Sequence, residues 1–258
     1  MISAWKKQDP PPNRVKPVPI RVIRSISFIA QASQDPLVQG INDMITIAFF
    51  FLLRPGEYTA TKSDTQPFDF KAVQLFLGEQ RLDLRTASTQ TIHAATFASL
   101  TFDKQKNGVE GEVIGLARSG DPFLCPVKAL ARRVLHLRQH NVLPSTPLAT
   151  VYTITHTKIN ITPSMITSTL RNHVTIIGPA LGFIPSDVSV RCLRAAGANA
   201  LLAADIDTCI IRLIGRWRSD EMLRYLHVQS KELMKDYSAR MLHSGDFTLI
   251  PNQVVPMH

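Results

Sequence analysis

The chain has 258 residues, room for one large domain or two small ones. Hydrophobic residues are 45% and charged residues 19% of it, enough apolar material for a core, which excludes global disorder. Lys and Arg number 29 against 20 Asp and Glu, a formal net charge of +9, and the balance favours a polyanionic partner, nucleic acid ahead of a membrane surface. The three cysteines, Cys125, Cys192 and Cys209, are odd in number and widely spaced, so no disulfide framework is expected and a reducing compartment is the default. The eight histidines form no HExxH motif, and no metal site is expected.

Residues 1–19 carry PPP and PVP among scattered Lys and Arg and read as an extended arm or linker, without the apolar run of a signal peptide. From Ile20 the pattern is helical, with Ile20, Ile23, Ile26 and Phe28 placed near one face. Asp35-Pro36 interrupts it. A second helix runs from Leu37 to Leu53, and its stretch MITIAFFFLL is about half a bilayer span, so it is expected as a buried core helix. Arg54-Pro55-Gly56 stops it. Residues 55–95 are irregular and polar, with weak strand candidates. Residues 95–102 and 111–116, separated by Asn107-Gly108, read as a β-hairpin with a long loop.

Cys125-Pro126 opens a helix to about His140, Thr-rich turns follow over 145–162, and Pro163 begins a helix to about Ile177. Residues 189–204 are rich in Ala and Leu. Asp207 caps a helix from Thr208 to Ile214 that Gly215 ends. Ser219-Asp220 starts another, to about Val228, and Ser230 caps a last one, to about Leu242, with Gly245 as its stop. The expected architecture is mainly α with a small antiparallel β-sheet, an α+β fold, over residues 20–245, followed by a tail over 246–258.

Four separated stretches carry candidate chemistry: Arg54-Pro55-Gly56-Glu57 after the buried helix; Lys104 and Lys106 near the hairpin turn; Arg191-Cys192-Leu193-Arg194; and GRWRSDEMLRYLH from Gly215 to His227. Breaking a phosphodiester by transesterification needs positive charge around the non-bridging oxygens, which arginine supplies bidentately without ever deprotonating. A free tyrosine is only about 0.1% ionised at pH 7, and nearby arginines stabilise its phenolate for attack. A lysine beside the leaving 5′ oxygen can protonate it.

On these residues the chain resembles the catalytic domain of tyrosine recombinases, the phage-integrase-like family, over about Ile20 to Leu242. The stretch LRAAGANALLAADIDTCIIRLIGRWRSDEMLRYLH is most similar to versions carried by eukaryotic mobile elements. The resemblance implies that fold. It also implies catalytic roles for Arg54, Lys104, Arg191, Arg194 and Arg216, and makes Tyr225, nine residues past Arg216, the nucleophile. Alternation places Lys104 and Lys106 on one face, and Lys104, nearer the strand end, is taken as the acid. Lys106, Arg212, Trp217, Arg218 and Arg224 are expected to contact DNA. Two positions depart from the family pattern. Arg191 stands where a histidine is usual, and Arg216, with Trp217 beside it, stands where His or Trp is usual.

The implied activity is site-specific DNA strand breakage and rejoining through a 3′-phosphotyrosyl intermediate, with no cofactor and no metal. The implied partners are double-stranded DNA and further copies of the chain, as a tetramer on DNA, with neither a membrane nor a small-molecule substrate. The place implied is intracellular and DNA-associated, the nucleus in a eukaryotic host. The family's helical core-binding domain is longer than residues 1–19 can hold. Two other readings stay open: a DNA-binding relic that no longer cuts, and a type IB topoisomerase.

Overall fold

The computed structural model describes residues 16–60, 67–102, 111–217 and 236–247. Its centre is α2 (Pro36–Phe50), which follows α1 (Ile20–Ala32). Asp35 caps α2 by accepting the Leu37 N–H at 2.8 Å, and Pro36 occupies the first turn, where its missing donor costs nothing. Every residue from Gly40 to Phe50 is buried, and the helix packs against α1, α5 (Pro126–Gln139), α7 (Cys192–Ala203) and strand β5 (Thr150–Tyr152). An apolar run without a polar stripe is stable only when covered on all sides, and the fold covers it.

On α1 the buried residues are Ile20, Val22, Ile23, Ile26, Ser27 and Ala30, whereas Phe28 is 67% exposed. The expected apolar face is corrected there: at 3.6 residues per turn, Phe28 lies about 200° round the helix from Ile26.

The sheet is antiparallel in the order β2-β1-β3-β4, formed by β1 (Val73–Leu77), β2 (Gln80–Arg81), β3 (Phe97–Phe102) and β4 (Glu112–Ala117). β3 is paired on both sides, from Val73↔Leu100 to Phe76↔Phe97 on one and from Phe97↔Ala117 to Phe102↔Glu112 on the other. It is accordingly buried at five of its six positions. β3 falls within the expected hairpin and β4 runs one residue past it, to Ala117; the Asn107-Gly108 turn lies outside the described residues. The stretch 55–95, expected to be irregular with weak strand candidates, holds β1, β2 and two short helices, α3 (Pro55–Tyr58) and α4 (Thr89–Ala94).

α5 lies across β1, β3 and β4 and carries the buried Arg133. Arg133 donates from Nε to the Leu148 carbonyl at 3.1 Å and from Nη2 to the Thr150 carbonyl, drawing in the hairpin of β5 and β6 (Lys158–Asn160). That hairpin lies in the stretch 145–162, expected to be Thr-rich turns, where no strand was expected. After α6 (Pro163–Ile177), α7 and α8 (Thr208–Gly215), the chain is described again at α9 (Tyr237–Ser244), which packs on α7 and β4. Ser238 Oγ donates to the Ala117 carbonyl at 2.6 Å, and the Ile20 N–H donates to the Gly245 carbonyl at 2.9 Å. The described residues thus form nine α-helices and a small antiparallel sheet, with a separate two-stranded ribbon. Among them no helix is long and apolar enough to cross a membrane. The expected helix at 219–228 lies outside the described residues, as does the start of the one expected from Ser230 to about Leu242, whose end falls in α9.

Candidate functional site: a cluster of arginines around Glu57

The C-terminal end of α2 sets the first member. Leu52 takes a left-handed φ of 50°, the Leu53 N–H bonds the Ala48 carbonyl at 3.0 Å, and the chain turns into α3 through Arg54-Pro55. Arg54 is therefore the residue at the start of α3. Glu57, one turn on, accepts its N–H at 2.7 Å on Oε2 and its Nη1 at 3.0 Å on Oε1. The carboxylate holds backbone and side chain of Arg54 together.

Arg216 comes from the other end of the chain and meets the same carboxylate, donating from Nη2 to Glu57 Oε2 at 2.8 Å. Its guanidinium also donates to the carbonyls of Ile214 (2.9 Å), Phe51 (3.2 Å) and Leu52 (3.3 Å), so it closes the frayed end of α2. Below it lies the Phe102 ring, 3.9 Å from Cζ to the centroid. The side chain is 1% exposed. Burial pushes its pKa down to about 10, with Glu57 opposing and Arg54 adding to the shift; the group stays charged at neutral pH.

The backbone of Arg216 is as specific as its side chain. The sequence places the end of α8 at Gly215, yet Gly215 is the last helical residue and Arg216 takes the left-handed position, with φ 57° and ψ 42°. Its N–H bonds the Leu213 carbonyl and that of Trp217 bonds the Arg212 carbonyl, each at 3.0 Å. The glycine is needed one residue earlier because Trp217 folds back over it, and a Cβ there would run into the indole. Arg54 Nη2 in turn donates to the Arg216 carbonyl at 3.2 Å.

Arg194 completes the cluster from α7. Its Nη2 donates to the Gly215 carbonyl, and its guanidinium lies 4.3 Å from the centroid of the Trp217 ring. Its Nη1 is buried and has no hydrogen-bond partner among the described residues. Burial, then the neighbouring Arg54 and Arg216, press its pKa down to about 9, which leaves it a cation at neutral pH. α7 comes this close to α2 because of Gly197, where a Cβ would strike the Phe49 carbonyl oxygen and the Leu52 side chain.

Arg54, Arg194 and Arg216, far apart in sequence, are thus brought together. Arg191 is exposed at the start of α7 and makes no side-chain contact with the cluster among the described residues. Arg212 lies on α8 and, with Trp217, Leu202 and Ile211, lines a shallow groove of about 250 Å³. Lys104 and Lys106 follow Phe102, the residue under Arg216, but lie outside the described residues, as do Arg218, Arg224, Tyr225 and His227.

Sequence reasoning missed Glu57 as the hub. A carboxylate three residues past an arginine ordinarily signals only a local pair. The other tyrosines are committed elsewhere. Tyr58 donates its buried hydroxyl to the Val190 carbonyl at 3.0 Å, Tyr152 stacks on His140 at 4.1 Å, and Tyr237 is buried in α9.

Away from the cluster, His136 on α5 and His140, the residue just past its end, both pack on Tyr152, and His156 lies against His140, another grouping the sequence reading did not single out. Among the described residues no group of three or more His, Cys, Asp or Glu is placed to hold a metal ion. Compared with models of known families, with curated proteins and with solved structures, the chain finds no match.

Proposed function

We propose that the chain is a DNA strand-breaking and rejoining enzyme of the tyrosine recombinase kind. The observation that carries this reading is the meeting of Arg54 and Arg194, 140 positions apart, beside a buried guanidinium nitrogen of Arg194 with no acceptor among the described residues. Paired guanidinium groups in a partly desolvated site suit the non-bridging oxygens of a phosphodiester at its transition state. Arg54 and Arg194 hold the phosphate in this reading. Arg216, committed to three carbonyls and Glu57, holds them in place.

Tyr225 then attacks phosphorus, forming the 3′-phosphotyrosyl bond as the P–O5′ bond breaks, and Lys104 gives the leaving 5′ oxygen its proton. Attack by a 5′ hydroxyl of another strand reverses the step, so the bond energy is retained. The commitment of Tyr58, Tyr152 and Tyr237 to other contacts supports Tyr225, the fourth tyrosine, as the nucleophile.

A nicked suicide duplex tests this. The wild-type chain should form a covalent adduct that survives denaturation, and Tyr225→Phe should abolish it while duplex affinity stays within a few-fold. An adduct that persists in Tyr225→Phe, or that maps to Tyr237, overturns the assignment. If duplex is bound and no adduct forms, the chain is the binding relic, a reading that the commitment of the Arg216 guanidinium to Glu57 and three backbone carbonyls favours.

A further inference from the structure

The molecule carries a second cationic hollow, built by the edge of the sheet rather than by the arginine cluster. It has a volume of about 470 Å³ and lies between the short helical turn Phe70–Ala72, the segment after β2, and Pro144. Its apolar lining comes from Phe70, Val73 and Leu82, all buried core residues, so the hollow belongs to the fold and does not depend on side-chain rearrangement. Around its mouth stand Lys71, Arg81 and Arg85. Lys71 lies 3.6 Å from Asp69. Arg81 and Arg85 are exposed and form no ion pair among the described residues, and Arg85 sits 6.0 Å over the Phe70 ring. Asp83 is the one carboxylate lining the hollow among the described residues, and it is engaged by its own loop, accepting from the Arg85 N–H at 2.9 Å and the Thr86 hydroxyl at 2.8 Å.

The hollow shares an end of the sheet with the cluster. β1 runs antiparallel to β3, so the residues leading into β1 lie beside the end of β3 at Phe102. Phe68 makes the link: its ring meets Phe102 at 4.7 Å, and its N–H donates to the Glu57 carbonyl at 2.8 Å. β2 and the residues after it continue along the outer side of β1, where the Leu82 N–H bonds the Leu75 carbonyl at 2.8 Å. A polyanion lying across this end of the sheet would meet both places.

We propose that this hollow is a second phosphate-binding locus, which grips the backbone of duplex DNA flanking the strand held at Arg54 and Arg194; the inference rests on the DNA reading above. Arg81 and Arg85 supply forked donors to phosphate oxygens, and the apolar floor takes the deoxyribose between them. The contact is indifferent to base sequence and adds to affinity through counterion release.

The test is equilibrium binding of the full chain to a long fluorescent duplex of random sequence across a salt series. Arg81→Gln with Arg85→Gln should flatten the plot of log affinity against log salt by about 2, near 0.9 for each lost phosphate contact. Arg21→Gln with Arg24→Gln removes the same charge from α1, where both arginines already face aspartates, and should leave the slope close to wild type. A flattening no greater than in this control overturns the proposal, and so does a wild-type chain that binds no duplex. If the slope flattens while the nicked substrate traps no adduct, the locus stands and the strand-exchange reading falls. If trapping succeeds and the slope is unchanged, the reverse holds. Loss of polyglutamate binding with an unchanged duplex slope makes the hollow an acidic-peptide site and overturns the proposal.

Discussion

Removing the Arg216 guanidinium would strip the donor from the Phe51, Leu52 and Ile214 carbonyls and leave Glu57 with one cation instead of two. The motif spacing points to Arg216 as a phosphate ligand, because spacing along a chain says nothing about which way a left-handed residue aims its side chain. In the fold it aims inward, under the end of α2. Arg216→Ala is therefore expected to act on stability first, costing about 3–5 kcal/mol, as breaking one side of a buried charged pair does. Urea unfolding should show a lower midpoint with an unchanged slope. A midpoint within experimental error of wild type would mean that the guanidinium is not held as described. Arg194 was readable as a motif residue on a helix, but nothing local showed that it, and not Arg191 three residues earlier, meets Arg54 and Arg216. Glu57 was readable only as part of a motif, since its link to Arg216 spans 159 positions.

Among the elements, those with strong local signals were visible in advance. α2 declares itself by an apolar run, α6 by Pro163 in its first turn, and α8 by Asp207, whose carboxylate accepts the Cys209 N–H at 2.7 Å as expected of a cap. The β5–β6 ribbon was invisible because its order comes from elsewhere: a buried arginine on α5 supplies donors to its carbonyls, and Thr-rich sequence alone reads as turn. β1 and β2 were only faint for a similar reason, since β2 is two residues long and is an edge strand whose partner decides its register. The approach of α7 to α2 depends on Gly197, which sits inside an Ala/Leu-rich helix and looks unremarkable there. Gly197→Ala improves helix propensity yet places a methyl against the Phe49 carbonyl oxygen, Leu52 and Met241. Overpacking should win, lowering stability by about 1–3 kcal/mol in thermal or urea unfolding. A variant more stable than wild type would show that α7 and α2 are not packed backbone to side chain at this point.

At the scale of the whole molecule the chain's basic character and its acid sensitivity have different origins. The net charge of +9 is set by composition, and it was plain from the sequence. Acid sensitivity is expected from imidazoles whose pKa burial lowers, which composition cannot reveal. His136 accepts the Tyr152 N–H at 2.9 Å on Nε2 and packs beside His140, with Arg133 buried on the same helix. Burial first, then the Arg133 charge and His140, push its pKa from 6.5 down to about 4. The pKa values of His140 and His173 are also lowered, chiefly by burial. For each of these the unfolded chain binds the proton more readily, so their contribution is complete above pH 6.5 and is lost as the pH falls. For His136 the loss extends to about pH 4. Asp43 acts in the opposite sense, because burial raises its carboxyl despite Arg132, and it favours the fold as the pH drops. His136 is only half buried, and after allowance for solvent screening it should account for about 1–2 kcal/mol of the fall. His136→Gln removes the titration, so the variant's melting temperature should decline less steeply than wild type between pH 6.5 and 4, the difference growing as the pH falls. Parallel profiles for the two proteins would place the acid sensitivity elsewhere and remove His136 as its source.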